Sequence, residues 1–137
     1  MVREMKTLIV TDDMGTTYLL VHWLRKFCST AVAIVNSGRE ALRMVENETF
    51  GLVFLDLALP DMPAEVLIRE FKAVQEEIPL ITMTDNSSRE LERRVRSHGI
   101  IFYMEKPVSV DILQDLLRHH IQKQNSEQPN QIQGVQS

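Results

Sequence analysis

The sequence predicts a single α/β domain with a doubly wound sheet of five parallel strands and five helices. Along the chain, apolar runs bounded by turn residues alternate with segments of helical period, the pattern of successive strand–helix units around a parallel sheet. The runs are continuously apolar, as expected for strands that helices cover on both faces. A chain of 137 residues is long enough to bury such a core without disulfides or metals.

The predicted strands are short apolar runs. They cover residues 7–11, 31–35, 52–56, 80–84 and 100–104. Right-handed crossovers bring the carboxyl ends of parallel strands to one edge of the sheet, where ligands bind in folds of this kind. We therefore expect the residues that end these strands to meet at one edge.

The predicted helices cover residues 16–27, 37–48, a segment that begins at Pro63, 88–98 and 110–122. Ser37 precedes Glu40 by three residues, the spacing of a capping box. Pro63 suits a first helical position, and Gly99 suits the end of the fourth helix. The first and last helices carry apolar stripes, which comprise Leu20, Trp23, Leu24 and Phe27 in the first and Ile112, Leu113, Leu116, Leu117 and Ile121 in the last.

The end of the chain differs in composition from the rest. Residues 124–137 are polar, rich in glutamine and asparagine, and lack the apolar content of a core. The sequence therefore predicts a domain over residues 1–123, followed by a tail or the start of a linker over residues 124–137.

Composition argues against several classes of protein. The formal net charge of −4 disfavours nucleic-acid binding by this domain, because phosphate backbones are bound mainly through lysine and arginine. The single cysteine, Cys28, forms no internal disulfide or thiolate metal cage, which favours a reducing compartment. No apolar stretch approaches the roughly 18 residues of a membrane span, and the first residues lack the apolar core of a signal peptide. We expect a cytoplasmic protein without membrane contact.

Charged and hydroxyl side chains stand at the ends of four predicted strands. Asp12 and Asp13 follow the first strand, Asp56 ends the third, Thr84 ends the fourth and Lys106 follows the fifth. A carboxylate at the exit of an apolar strand costs free energy unless it is paired or bound to a cation. Magnesium suits such oxygen ligands and usually works with phosphate groups, whereas zinc would lack its usual cysteine and histidine ligands. The pattern predicts a magnesium and phosphoryl site at this edge.

Simpler interpretations remain open for single residues. An acidic pair after a strand often only caps the next helix, and Asp56 alone could do the same. Thr82 lies on the same face as Thr84, one step deeper, so either could be a core threonine. Tyr103 could be a plain core aromatic. Helix capping, however, predicts no lysine at Lys106.

The combined motifs resemble the receiver domain of two-component response regulators, over about residues 5–122. The motifs that carry the resemblance are Asp12-Asp13, Asp56 with Pro60 four residues on, Thr84 five residues after Pro79, Gly99 followed by Tyr103, Lys106-Pro107, and the helix start Asn36-Ser37-Gly38-Arg39-Glu40-Ala41-Leu42. The resemblance implies a flavodoxin-like sheet with strand order 2-1-3-4-5 and a cis bond before Pro107.

The resemblance implies that Asp56 accepts a phosphoryl group from a phosphohistidine on a sensor histidine kinase or a histidine phosphotransfer protein, as in a phosphorelay. Asp13, Asp56 and the backbone carbonyl of Ala58 would bind Mg²⁺ directly, and Asp12 would act mainly through a water. Lys106 would pair with Asp56 and then with the phosphoryl oxygens. Phosphoryl transfer demands positioning and charge neutralisation, which these groups supply.

The resemblance also implies a conformational switch. Thr84 would donate its hydroxyl to the phosphoryl group and draw its loop inward, and Tyr103 would turn from solvent towards the vacated space. The output surface would be the fourth helix, fifth strand and fifth helix, which would bind an unknown downstream protein or a second copy of the chain. The domain would be a signalling module and not an enzyme, apart from its own phosphoryl acceptance and slow autodephosphorylation.

Two residues depart from the family pattern. Ala64 stands where the family usually has glycine; if that position needs a positive φ, alanine costs roughly 1 kcal/mol and the loop is shaped differently. Asp85 follows the switch threonine where a small residue is common, so its charge and bulk could hinder the entry of donor or water. Alternatively, Asp85 could pair with Arg89 four residues on and face away.

Two other functions compete with this one. A receiver-like scaffold would bind partners without being phosphorylated, and Asp85 leaves that reading open. A magnesium-dependent phosphatase of the haloacid dehalogenase type also uses an aspartyl phosphate. That family has a second acid two residues after the nucleophile, however, and here the residue is Ala58.

Overall fold

Strands and helices alternate strictly in the computed structural model, which describes residues 5–126, with side chains to residue 122. Within those residues the elements are β1 (Met5–Val10), α1 (Met14–Phe27), β2 (Thr30–Val35), α2 (Gly38–Asn47), β3 (Leu52–Asp56), α3 (Ala64–Val74), β4 (Leu80–Thr84), α4 (Arg89–Arg96), β5 (Phe102–Glu105) and α5 (Val110–Ser126). The strands form one sheet in the order β2-β1-β3-β4-β5. The predicted fold and strand order are confirmed.

The sheet is parallel throughout, and its register brings the ends of β1 and β3 together. The two strands pair as far as Val10 and Leu55. The next residues, Thr11 and Asp56, therefore adjoin at the carboxyl edge. β4 pairs with the other side of β3 and ends at the same edge with Thr84.

Each side of the sheet has its own apolar core, because alternate strand residues face opposite sides. The core beneath α2, α3 and α4 includes Leu8, Val10, Ala41, Val45, Val53, Leu55, Leu67, Ile68, Phe71 and Val95. The core beneath α1 and α5 includes Ile9, Leu20, Leu24, Leu52, Phe54, Ile81, Met83, Leu113 and Leu117. Burial on both sides explains why the strands are continuously apolar.

The apolar stripes of the first and last helices are confirmed in part. Leu20 and Leu24 of α1 are buried, as are Leu113 and Leu117 of α5. We expected Ile112 to be buried with this stripe, and that prediction is wrong, because Ile112 is exposed. The buried residues Leu113 and Leu117 are four apart and share one face of α5, whereas Ile112 lies outside that face. None of the helices in residues 5–126 is long and apolar enough to cross a membrane.

α1 begins at Met14, two residues before the predicted start. The Asp13 side chain is its N-cap and accepts hydrogen bonds from the backbone amides of Gly15 and Thr16. The first predicted acid pair therefore lies directly against a helix N-terminus, where a carboxylate stabilises the helix.

The later helices differ from prediction mainly at their ends. α4 ends at Arg96, and the chain leaves it through Gly99, whose φ of +80° agrees with the predicted glycine stop. α5 continues to Ser126, beyond its predicted end at residue 122. The rest of the predicted tail, residues 127–137, lies outside the described residues.

The loop before α3 accommodates alanine without strain. Pro63 is the N-cap of α3, one position before the predicted one, and Ala64 is the first helical residue. Within residues 5–126, glycine alone adopts a positive φ. The positive φ considered for Ala64 is therefore not required.

The loop after β3 is tied to the start of α2. Ser37 Oγ accepts from the Glu40 amide at 3.2 Å, as the capping spacing predicts. The Asp61 carboxylate accepts from the Gly38 amide at 2.8 Å and the Arg39 amide at 3.0 Å. These backbone hydrogen bonds lower the pKa of Asp61. The chain that follows Asp56 is thus anchored a few residues after the strand ends.

Candidate functional site

Asp56 is a buried carboxylate with every oxygen paired. It ends β3 and is 1% exposed. Its Oδ2 accepts from Thr11 Oγ1 and from Lys106 Nζ, each at 2.7 Å. Its Oδ1 accepts from the Ala58 amide at 3.0 Å. These donors offset the free-energy cost of burying the charge.

Lys106 lies between two carboxylates. Its side chain is 8% exposed, and Nζ donates to Asp56 Oδ2 at 2.7 Å and to Asp13 Oδ2 at 3.0 Å. Burial alone would lower the pKa of Lys106, but the hydrogen bonds to Asp56 and then Asp13 outweigh it, so the pKa is raised. Its position is set by β5 and by the Pro107 turn, whose peptide bond is cis, as the resemblance implies.

Asp13 is the N-cap of α1 and also bonds Lys106 of the site. Its Oδ1 accepts from the Gly15 and Thr16 amides at 3.1 and 3.3 Å. Its Oδ2 accepts from Thr16 Oγ1 at 2.7 Å and from Lys106. The Thr16 hydroxyl, followed by Lys106, lowers the pKa of Asp13 from 3.8 to about 2. Asp13 is therefore the cap of α1, as the simpler interpretation predicts, and it also contacts Lys106.

Asp12 differs from its neighbour. Its side chain is exposed and makes no hydrogen bond or ion pair with any other described residue. Its carboxylate is therefore available to bind a ligand.

Thr84 and Tyr103 lie near the site without touching Asp56. Thr84 is buried, and its Oγ1 accepts from the Asn86 amide at 3.1 Å. Tyr103 is 5% exposed and shares a 2.8 Å hydrogen bond with Ser87 Oγ. The Arg96 guanidinium lies 5.9 Å from the centre of the Tyr103 ring. Tyr103 is thus already turned inward here.

The structure separates Thr82 from Thr84. Thr82 is fully buried, and its hydroxyl has no partner among the described residues. It lies one strand step below the edge, within the sheet. Thr84 ends β4 at the carboxyl edge of the sheet.

Asp85 is exposed at the rim beside Thr84. The alternative pairing with Arg89 is not formed, and across residues 5–126 Asp85 makes no ion pair at all. Its charge therefore remains unneutralised next to the site.

Three contributing residues escaped the sequence analysis. Thr11 bonds Asp56, Thr16 bonds Asp13, and Ser87 bonds Tyr103. For Thr11 a signal existed, since a hydroxyl follows the strand directly before the acid pair. For Ser87 none did, because the contact spans 16 residues of the chain.

The donors present suit magnesium. Across the described part of the chain, no three or more His, Cys, Asp or Glu side chains form a metal cage by themselves. The exposed Asp12, the carboxylate of Asp56 and the exposed Ala58 offer oxygen alone. Mg²⁺ binds proteins in this way, through one or two carboxylates with waters completing its shell.

Comparison with known proteins places the chain in a family. The family model described as "Response regulator receiver domain" matches residues 7–118. The transcriptional regulatory protein ZraR of Escherichia coli K12 is 36% identical over 110 residues, which are 80% of this chain and 25% of that protein. The chain thus spans about a quarter of the length of the curated relatives it matches.

Solved structures agree with this assignment. A CheY-like receiver domain from Methanospirillum hungatei JF-1 has a TM-score of 0.82 and 26% identity, covering 92% of this chain and all of that one. The receiver domain of the sensor histidine kinase PA1611 from Pseudomonas aeruginosa PAO1, solved with magnesium in its active-site cleft, has a TM-score of 0.77 and 24% identity, covering 88% and 99%. Such domains are signalling modules rather than catalytic enzymes, and they work with histidine kinases. The chain belongs to the response-regulator receiver domain family.

Proposed function

We propose that this domain takes a phosphoryl group from a phosphohistidine onto Asp56. The donor is a sensor histidine kinase or a histidine phosphotransfer protein in the cytoplasm. The observation that carries the proposal is the 2.7 Å contact between Lys106 Nζ and Asp56 Oδ2, two side chains with little exposure at the sheet edge. A cation fixed beside a buried carboxylate is suited to a phosphoryl group, whose charge must be neutralised.

The transfer itself needs few groups. An oxygen of Asp56 attacks phosphorus, and the bond from phosphorus to the imidazole nitrogen breaks with both electrons staying on nitrogen. Lys106 remains beside the acceptor and neutralises charge on the transferred oxygens. Phosphoryl transfer depends mainly on such positioning and electrostatic stabilisation.

Magnesium would be held by Asp12, Asp13, Asp56 and the carbonyl of Ala58, and when bound it supplies positive charge to the phosphoryl oxygens. Asp12 has both oxygens available for this purpose. Asp13 and Asp56 would bind the ion directly together with the Ala58 carbonyl, and Asp12 would act mainly through a water. The magnesium in the related Pseudomonas receiver supports the choice of metal.

The signal would leave through the face formed by α4, β5 and α5. Thr84 would donate its hydroxyl to the phosphoryl group, while its oxygen can keep the hydrogen bond from the Asn86 amide. The segment it leads contains Ser87, which is bonded to Tyr103, so movement of the segment reaches β5 and α4. The consequence is altered binding of a downstream protein or of a second copy of the chain.

The whole natural protein is expected to act through partners or through a further domain. Residues 1–123 would form the input domain, and residues 124–137 would begin a linker or tail. The first relative matched is about three times as long as this chain, and it is named as a transcriptional regulator. A regulator of that kind would place the nucleic-acid contact outside this domain.

Incubation with acetyl phosphate and Mg²⁺ tests the proposal. Intact-mass measurement of the 137-residue chain should show the addition of one phosphoryl group. Asp56→Asn should abolish it, whereas Asp115→Asn, at an exposed acid on α5, should not. An unlabelled wild type would favour a scaffold that binds partners without phosphorylation. Repeated turnover of small phosphate esters that depends on Asp56 would favour a phosphatase instead.

A further inference from the structure

Among the side chains that the structure describes, Thr11 is the one neutral group that bonds the carboxylate of Asp56. It is 2% exposed at the end of β1. Its backbone amide donates to the Val35 carbonyl at 3.1 Å, which ties it to β2. Its Oγ1 lies 2.7 Å from Asp56 Oδ2 and 3.0 Å from the Asp13 amide nitrogen. The hydroxyl is therefore held from two sides by groups of the site.

The direction of these two hydrogen bonds is determined. The Asp13 amide is a donor, so it occupies a lone pair of the Thr11 oxygen. The ionised Asp56 carboxylate is an acceptor, so the hydroxyl hydrogen of Thr11 points to Oδ2. The pair of bonds links the start of α1 to the acceptor carboxylate through one fixed hydroxyl.

The consequence is an asymmetry between the two oxygens of Asp56. Oδ2 accepts from both Thr11 and Lys106, which fills about two lone-pair directions. Oδ1 accepts from the Ala58 amide alone. The carboxylate cannot rotate without losing these bonds, so Oδ1 retains the open lone pair.

We propose that Thr11 is a positioning residue for phosphoryl acceptance, which holds Asp56 so that Oδ1 presents its free lone pair to the incoming phosphorus. This inference rests on the proposed function of Asp56. A hydroxyl does this without adding negative charge, whereas a third close carboxylate would compete for Lys106. The group acts through Asp56 and does not contact the donor.

A buried threonine could instead serve stability alone, and Thr7 provides the matched control. It lies on the same strand, is fully buried, and its hydroxyl bonds Thr30 Oγ1 at 2.7 Å. It pairs with Leu52, four residues before Asp56. Valine at either position removes one buried hydroxyl of the same strand at nearly constant volume.

The experiment compares Thr11→Val, Thr11→Ser and Thr7→Val in the full chain. The rate of labelling by acetyl phosphate with Mg²⁺ should fall about tenfold in Thr11→Val, the effect of losing one hydrogen bond to a charged group. Thr11→Ser should restore most of the rate. The labelling rate of Thr7→Val should stay within about twofold of wild type. Its loss of thermal stability should be similar to that of Thr11→Val, because each variant loses one buried hydrogen bond. Equal rates in the two valine variants, or a serine variant as slow as the valine one, would overturn the proposal.

The Ala58 amide gives a readout that does not require phosphorylation. Its hydrogen bond to Asp56 Oδ1 reports the orientation of that carboxylate. In amide NMR spectra without donor, the Ala58 peak should shift in Thr11→Val and stay unmoved in Thr7→Val. If wild type takes no label while this shift occurs, the proposed function fails and the positioning by Thr11 stands. If the Ala58 peak does not move, the positioning fails. If Thr11→Val does not fold, the labelling rates and the Ala58 peak can be compared between Thr11→Ala and Thr7→Ala instead.

Discussion

The two halves of the carboxyl edge are built differently. The acceptor half comprises Thr11, Asp13, Asp56 and Lys106, which bond one another through side chains at 2.7 to 3.0 Å. The response half comprises residues 84–90, which are exposed over most of their length. Thr84 itself is fixed in β4, where its carbonyl accepts from the Lys106 amide at 2.7 Å. Beyond Thr84, the link to another strand is the bond between Ser87 and Tyr103.

This contrast separates the chemistry from the response. Few buried contacts and exposed backbone give a segment low local stability, whereas a cross-bonded buried cluster opens rarely. Under the proposed function, the acceptor half would stay in place while the response half changes conformation. The Thr84 hydroxyl would donate to a phosphoryl group on Asp56 while its oxygen still accepts from the Asn86 amide, so the segment would be drawn along with Thr84.

The largest effect is expected from breaking the acceptor half at its cation. Lys106→Met leaves Asp56 buried without its charge partner, which should cost about 3 kcal/mol of unfolding free energy. The rate of phosphorylation should fall at least about a hundredfold, since the transferred charge loses its fixed cation. Denaturant unfolding and intact-mass labelling measure the two effects.

Lys6→Met is the control for that change. Lys6 forms an exposed ion pair with Glu48 at 3.3 Å, worth less than about 1 kcal/mol. Equal losses of stability in the two variants would mean that the Lys106 pair does not hold the acceptor half together.

Ser87→Ala tests the response half. Loss of the bond to Tyr103 should cost about 1 kcal/mol and should increase amide hydrogen exchange over residues 85–88. The phosphorylation rate should stay near that of wild type, because the acceptor half is untouched. Ser97→Ala, which removes an exposed bond from Ser97 Oγ to the Arg94 carbonyl, is the comparison. A fall in rate with Ser87→Ala would show that the halves are not separable.

Low pH tests the contribution of Asp13 in the acceptor half to folding stability. Its pKa is about 2 in the folded protein against an ordinary 3.8, so its ionised form favours folding above about pH 4, and this contribution is lost as the pH falls through about 2. Since the side chain is 42% exposed, solvent screening reduces the effect to about 1 kcal/mol. Unfolding measured from pH 5 to 2 should show a steeper loss in wild type than in Asp13→Asn. Parallel curves would contradict the assignment.

The smallest effect is expected at Asp85. Its exposed, unpaired charge repels an anionic donor, so Asp85→Asn should speed labelling by acetyl phosphate about two- to threefold at low salt. The gain should shrink as salt rises, because exposed charges are screened. Asp115→Asn should change nothing. If the gain in labelling rate did not change with salt concentration, the size of the Asp85 side chain rather than its charge would be the cause.

The fold could be predicted because its signals are local and repeated. Continuous apolar runs and helical periods recur along the chain, and Gly99 and Ser37 mark helix ends by their own chemistry. The meeting of Asp56 and Lys106 could be predicted as well, since crossovers bring parallel strand ends together. Predicting the fold and the contact between Asp56 and Lys106 requires no knowledge of the strand register or of side-chain rotamers.

The remaining contacts depend on register and side-chain direction. Thr11 meets Asp56 because β1 and β3 pair as far as Val10 and Leu55, and no local pattern states that register. Asp61 reaches the Gly38 amide across 23 residues. Short hydroxyl and carboxylate side chains occur at many turns, so the sequence does not say which of them will cross to another element.

Amide NMR spectra with Mg²⁺ and beryllofluoride, a phosphoryl mimic, test the central claim most directly. If Asp56 accepts the phosphoryl group, peak shifts in wild type should begin at Asp56 and Ala58 and extend through Thr84 and Ser87 to Tyr103. Asp56→Asn should show no such shifts. Unchanged spectra of wild type, or the same shifts in Asp56→Asn, would contradict it.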